Sequence, residues 1–230
     1  MEPLNCDVLG TRGVNEALRA LPDGAAATVH SPRGRHNLAV GLPGEVAVTV
    51  DGNGGYFLGG LCGSAGGTGP TIDVHGFVGW SLGENLMAGT IRVHGSASQS
   101  AGSSARGGRI FVEGDASLRA GISLKGGTLV IAGDAGAMTG FMAQAGTILI
   151  GGDAGHALGD SLYEAVIYVA GTIASLGADA QVEDLTDDDV LTVKRLVEES
   201  GFDHIDPQAV RRVASARRLY HFSTHNHGSY

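Results

Sequence analysis

The sequence predicts an all-β fold, a right-handed parallel β-helix of 19-residue coils with short helical caps at its N- and C-terminal ends. Three features carry that reading. Glycine recurs at a constant interval of 19, at Gly76, Gly95, Gly114, Gly133, Gly152 and Gly171. The five residues before each of these glycines alternate with period two, aliphatic in the second and fourth places, as a strand with one buried face requires. A repeat of 19 is also too short for a strand–helix–strand crossover, which needs about 30 residues, and long enough for one coil.

Taken in chain order, residues 1–33 read as an N-terminal cap, with a short helix from Arg12 to Leu21 ending before Pro22-Asp23-Gly24. Residues 34–180 read as the β-helix proper. A degraded first coil includes Gly34 and Gly41, and Ala47-Val48-Thr49-Val50-Asp51-Gly52 supplies the first clear strand and corner. Gly52, Gly55 and Gly59 reproduce the spacing of Gly76, Gly79 and Gly83 at an offset of 24, so five extra residues form a loop near Gly66 to Pro70.

From Thr71 onward the columns are regular. Ile72, Ile91, Ile110, Leu129, Ile148 and Ile167 form one predicted interior ladder, and Val74, Val93, Val112, Ile131, Ile150 and Val169 form another. Ala97, Ala116, Ala135 and Ala154 form a third, whose small size implies a narrow interior. Further glycine columns run Gly83, Gly102, Gly121, Gly140, Gly159 and Gly89, Gly108, Gly127, Gly146, the latter ending at Ala165. Glycine at the corners permits positive φ and close backbone approach. With about seven coils stacked about 4.8 Å apart, the rod would be roughly 30 Å long.

Residues 181–230 read as a helical segment and tail. Thr186 is the expected N-cap of a helix opened by Asp187, Asp188 and Asp189 and carrying Val190, Val193, Leu196 and Val197 at helical spacing. Gly201 ends it. A second helix is expected from near Pro207, turning Val210, Val213 and Ala214 toward the core, and His221 to Tyr230 reads as an extended polar tail.

Composition narrows the function classes. The chain of 230 residues has 39 glycines, six prolines and 43% hydrophobic residues. Collagen would need far more proline and glycine at every third place, and a disordered glycine-rich chain would be poor in aliphatics. A formal charge of −9, with lysine only at Lys125 and Lys194, argues against a nucleic-acid partner. Met1 to Asp7 lacks the pattern of a signal peptide, and no apolar run is long enough for a membrane partner. Two cysteines, Cys6 and Cys62, suit a reducing cytoplasm.

Each candidate for chemistry has a structural reading beside it. The glycine columns match neither a dinucleotide fingerprint nor a phosphate loop. Asp115, Asp134 and Asp153 follow the first glycine of three successive coils and are expected to bond nearby turn amides. His75 and His94 lie one coil apart, and His221, His225 and His227 cluster near the C-terminus; neither group has a partner at a recognised metal spacing. Cys62 has no identifiable base and reads as a buried thiol. Arg211, Arg212, Arg217 and Arg218 form a basic patch that is either the solvated side of a helix or a docking site for an acidic surface. No catalytic, cofactor-binding or metal residue is assigned.

Repeated units ending in Gly152-Asp153-Ala154-Gly155-His156-Ala157-Leu158-Gly159 resemble the GXGXG β-helix domain that closes the large subunit of glutamate synthase. A similar domain occurs in a subunit of formylmethanofuran dehydrogenase. The likeness covers roughly Asp7 to Tyr220. Asp160-Ser161-Leu162-Tyr163-Glu164-Ala165-Val166-Ile167-Tyr168-Val169-Ala170-Gly171, followed by Ala174-Ser175-Leu176-Gly177-Ala178-Asp179, resembles the stand-alone form found in N-methylglutamate synthase, also called methylamine–glutamate N-methyltransferase. The resemblance implies a structural subunit without catalysis of its own, in a hetero-oligomer. Its expected partners are a class II glutamine amidotransferase-like chain and a glutamate-synthase-like chain that holds FMN and an iron–sulfur cluster. Glutamate synthase itself, another amidotransferase-type complex and formylmethanofuran dehydrogenase are the alternative hosts. An independent enzyme of the polysaccharide-degrading kind would want clustered carboxylates and exposed aromatics on a groove, and aromatic residues make up only 5% of the chain.

Overall fold

The computed structural model describes residues 4–64 and 67–217. Among the described residues, eleven strands form a single sheet. Strand β1 (Leu4–Asn5) leads into helix α1 (Cys6–Arg19), and strands β2 (Ala26–His30), β3 (Ala47–Asp51), β4 (Thr71–Val74), β5 (Thr90–Val93), β6 (Arg109–Val112), β7 (Lys125–Ile131), β8 (Ala145–Ile150) and β9 (Val166–Val169) follow. Strands β1 to β9 stack parallel in chain order. Their register equates Ile72, Ile91, Ile110, Leu129, Ile148 and Ile167, as the repeat requires. Both aliphatic ladders are buried throughout.

A second column of parallel bridges runs Gly54, Val78, Ala97, Ala116, Ala135, Ala154 and Ile173. The alanine ladder is thus real; Val78 and Ile173 flank it, and Gly54 continues it beyond Val78. Alanine faces the aliphatic ladders across a thin interior, where the small side chain lets the two walls approach. The interior is the solenoid's main core, continuous from Cys6 and Val14 of the N-terminal helix to Val213.

The glycine columns serve two different needs. At Gly83 the backbone has φ +61°, and a Cβ there would also lie 2.6 Å from Ile110 Cδ1. At Gly95 φ is ordinary, but a Cβ would sit 2.9 Å from the carbonyl oxygen of Gly76 one coil away. Residues without glycine's freedom also take positive φ: Ser81, Ser100, Arg119, Met138 and Ala157 form one column between 56° and 62°. Each costs about 1 kcal/mol or more. The stack enforces them, because Ser81 N–H donates to Gln99 O at 2.8 Å and Ser100 N–H to Leu118 O at 2.9 Å, and the next coils repeat the bond.

The expected cap, 1–33, contains a full rung as well as a helix, since β2 pairs along its whole length with β3. The helix starts earlier than Arg12 because Asn5 caps it, accepting the Asp7 N–H at 2.8 Å. Gly10, at φ 62°, breaks it into two pieces. Asn15 docks α1 onto the first coil through Asn37 O (2.6 Å) and Val40 N–H (3.3 Å). The expected insertion lies between Gly63 and Thr71, and Ala65 and Gly66 within it fall outside the described residues.

The C-terminal end departs from expectation. Helix α2 (Asp187–Ser200) has the expected capping: Thr186 and Asp189 form a reciprocal box, and Gly201 closes the helix at φ 74°. The segment expected as a second helix is instead strand β11 (Arg211–Ser215), antiparallel to β9. Strand β10 (Ala180–Glu183) then pairs with β11. The spacing of Val210, Val213 and Ala214 suits a helix, but the free edge of β9 offers a full set of backbone partners. Reversing direction at that edge ends the parallel stack. The expected tail, His221 to Tyr230, lies outside the described residues.

Candidate functional site

The outward-facing middle residue of each rung forms a column: Thr49, Asp73, Arg92, Phe111, Val130, Leu149 and Tyr168. Its later half is apolar and buried beneath Val193, Leu196 and Val197 of α2 and Phe202, Ile205 and Val210 beyond it. Tyr168 donates its hydroxyl to Asp189 Oδ1, which also accepts Arg212 Nε at 3.1 Å. Thr186 bonds Asp189 Oδ2 through its backbone N–H (2.9 Å) and its hydroxyl (2.7 Å). Burial pushes the Asp189 carboxyl up, but these donors outweigh it and hold the pKa at about 2. The network fastens the cap and uses up Arg212, which also pairs with Glu183.

The same network bears on the arginine patch. Arg211 and Arg212 lie on a strand, not a helix. Arg212 is turned inward, Arg217 pairs with Asp179, and Arg218 lies outside the described residues. Of the two readings of this patch, the helix face is not formed at Arg211 and Arg212.

The earlier half of the same face is open and polar. Asp73 and His75 lie on β4 and the residue just beyond it, with Arg92 and His94 one rung on and Glu113 at the next. Asp73 Oδ1 is 2.7 Å from His94 Nε2, and Oδ2 is 3.3 Å from His75 Nε2. Glu113 Oε1 is 2.9 Å from His94 Nδ1. The two imidazoles meet edge to face, with centroids 5.0 Å apart. Partial burial lowers the His94 pKa, but hydrogen bonding to Glu113 and the charge of Asp73 raise it further, for a net upward shift. Arg92 turns away toward the cap, donating to Ser200 O at 2.9 Å and lying over the rings of Phe111 and Phe202. The sequence reading singled out His75 and His94 but missed Asp73 and Glu113. Period-two alternation within a rung and the 19-residue step between rungs place all four on one face.

The remaining candidates have structural roles. The expected Asx turns of Asp115, Asp134 and Asp153 are instead bonds between coils: Asp115 Oδ1 accepts Asp134 N–H (2.8 Å), Asp134 Oδ1 accepts Asp153 N–H (2.7 Å) and Asp153 Oδ1 accepts Thr172 N–H (2.6 Å). Cys62 is buried, with its thiol donating to Ala39 O at 3.0 Å, and burial pushes its pKa up to about 11. The histidines beyond residue 217 lie outside the described residues. A cleft beside the insertion is lined by Gly24, Glu45, Gly67, Gly69, Thr90 and Arg109.

A different surface feature had no signal in the overall composition. His36, Tyr56 and Trp80 occupy one column on successive coils and stack with centroids 4.2 and 5.0 Å apart. His36 Nδ1 accepts the Tyr56 N–H at 2.9 Å, fixing the first ring. Tyr56 is 45% exposed and Trp80 47%, with Phe77 and Leu61 also exposed on these coils. Among the described residues, no helix is long and apolar enough to cross a membrane.

Comparison with known proteins gives two matches of note. Over 222 residues the chain is 50% identical to protein GlxC of Rhizobium meliloti (strain 1021), covering 95% of both chains. Among solved structures it resembles a chain of the formyltransferase/hydrolase complex (FhcABCD) of Methylorubrum extorquens, solved with methylofuran. The TM-score is 0.58 at 21% identity, over 90% of this chain and 71% of that one, a likeness of fold. No family model matches.

Proposed function

The chain belongs to the GlxC family, and from that footing we propose that it is a structural subunit of a multi-subunit, glutamate-synthase-like enzyme. The single observation that carries this reading is the exposed stack of His36, Tyr56 and Trp80, with Phe77 and Leu61 also exposed on the same coils. Contiguous exposed apolar surface on a folded chain marks a binding surface, and aromatic residues dominate the energetics of protein interfaces. The rings sit on a rigid stack of coils, so little side-chain freedom remains to be lost on docking. The same fold in a chain of the formyltransferase/hydrolase complex fits a part within a larger enzyme.

In its finer form the proposal places the chain in an assembly of the N-methylglutamate synthase type, which converts glutamate and methylamine into N-methylglutamate and ammonia. A class II amidotransferase-like chain and a glutamate-synthase-like chain carrying FMN and an iron–sulfur cluster are its partners. The two unpaired, buried cysteines suit the cytoplasm. The test is to tag this chain, purify it from its native host and record flavin absorbance and co-purifying polypeptides. A yellow complex with the two partner types is expected. A colourless chain recovered alone would overturn the proposal, and partners of another enzyme class would overturn its finer form.

A further inference from the structure

From the geometry on the open half of the sheet we propose a binding site for a divalent transition-metal cation of the zinc type, with Asp73, His75 and His94 as ligands and Glu113 orienting His94. The three ligand atoms lie within 4.8 Å of one another. Two imidazole nitrogens and a carboxylate are a donor set for borderline cations, with water completing the coordination; calcium and magnesium prefer oxygen alone.

His94 faces a carboxylate at each nitrogen, Glu113 at Nδ1 (2.9 Å) and Asp73 at Nε2 (2.7 Å). With Nδ1–H on Glu113 and a cation between Nε2 and Asp73, this arrangement is the carboxylate–histidine–metal relay common to zinc sites. His75 brings its Nε2 to the other oxygen of Asp73. Asp73 stands on a paired rung, and His75 and His94, just beyond β4 and β5, are tied to the stack by His75 N–H to Val50 O and His94 N–H to Val74 O, each 2.9 Å. Arg92, the nearby permanent cation, is held by Ser200 O and the two aromatic rings, and its guanidinium also comes within 3.5 Å of Glu113 Oε1.

The experiment uses the full chain with His221, His225 and His227 replaced by Gln, so that the C-terminal histidines do not compete. After chelator treatment, zinc chloride is titrated against a chromophoric competitor, and cobalt absorption reports the geometry. A single zinc ion per chain is expected. The pair His75→Gln and His94→Gln should abolish it, and Glu113→Gln should weaken it about 10- to 100-fold, all with unchanged circular dichroism. Zinc bound equally well by the His75→Gln, His94→Gln chain, or no zinc bound by the parent, would overturn the proposal.

Discussion

Rungs β3 to β5 and rungs β6 to β9 share one backbone geometry and one buried interior, yet their outer faces differ. In the later rungs the outward column reads Phe111, Val130, Leu149, Tyr168, and a helix covers it. In the earlier rungs it reads Thr49, Asp73, Arg92, and the end of α2 reaches it at Arg92, through Ser200 O. Arg92 stands at the boundary, with its guanidinium on two aromatic rings of the covered side and within 3.5 Å of Glu113 on the open side. A coil stack fixes its fold through the inward residues, the corner glycines and the bonds between coils. The outward positions are then free to specify a cap in one place and a polar cluster in another.

The largest expected effect lies at the fastening of the cap. Asp189→Ala leaves Arg212 and the Tyr168 hydroxyl without their shared acceptor, and should cost about 3 to 5 kcal/mol of stability, read from the denaturant midpoint. Leu149→Ala should cost about 3 kcal/mol by opening a cavity under α2, whereas Asp73→Ala in the open half should stay within about 0.5 kcal/mol. Equal costs at these two positions would erase the contrast between the halves.

Acid sharpens the same comparison. The Asp189 carboxyl is held at about 2 in the folded chain against 3.8 unperturbed. A lowered folded value contributes stability that is complete above about pH 4 and is lost as pH falls through 2. Wild type should therefore lose about 2 kcal/mol more than Asp189→Asn between pH 4 and pH 2, and parallel acid profiles would contradict the assignment. A smaller effect than the loss of Asp189 or Leu149 should come from the aspartate ladder. Asp134→Ala removes one acceptor for the Asp153 N–H at an exposed turn and should cost about 1 kcal/mol.

Much of this was legible in the sequence because two periods coincide. Ile72, Ile91 and Ile110 repeat at 19 and alternate at two, so their burial and their register are both readable. Ser81, Ser100, Arg119, Met138 and Ala157 were not readable as left-handed positions. Their residue types carry no such preference, and the neighbouring coil's hydrogen bonds impose the conformation. Strand β11 was misread for a related reason: Val210, Val213 and Ala214 fit helical spacing, while the unpaired edge of β9 decides the outcome. At the histidine cluster the signal existed and went unused. Asp73 is two residues before His75, and Glu113 is 19 after His94, which places them all on one face.

The docking claim rests on Tyr56 and Trp80, and one measurement tests it most directly. Tagged wild type and a Tyr56→Ala, Trp80→Ala chain would be purified from the native host and the co-purifying flavin absorbance compared per mole of tagged chain. Both rings are largely surface residues, so the variant should keep its circular dichroism. Loss of two interface anchors worth about 2 kcal/mol each should lower partner recovery more than about tenfold. Partner recovery equal to that of wild type would contradict the account.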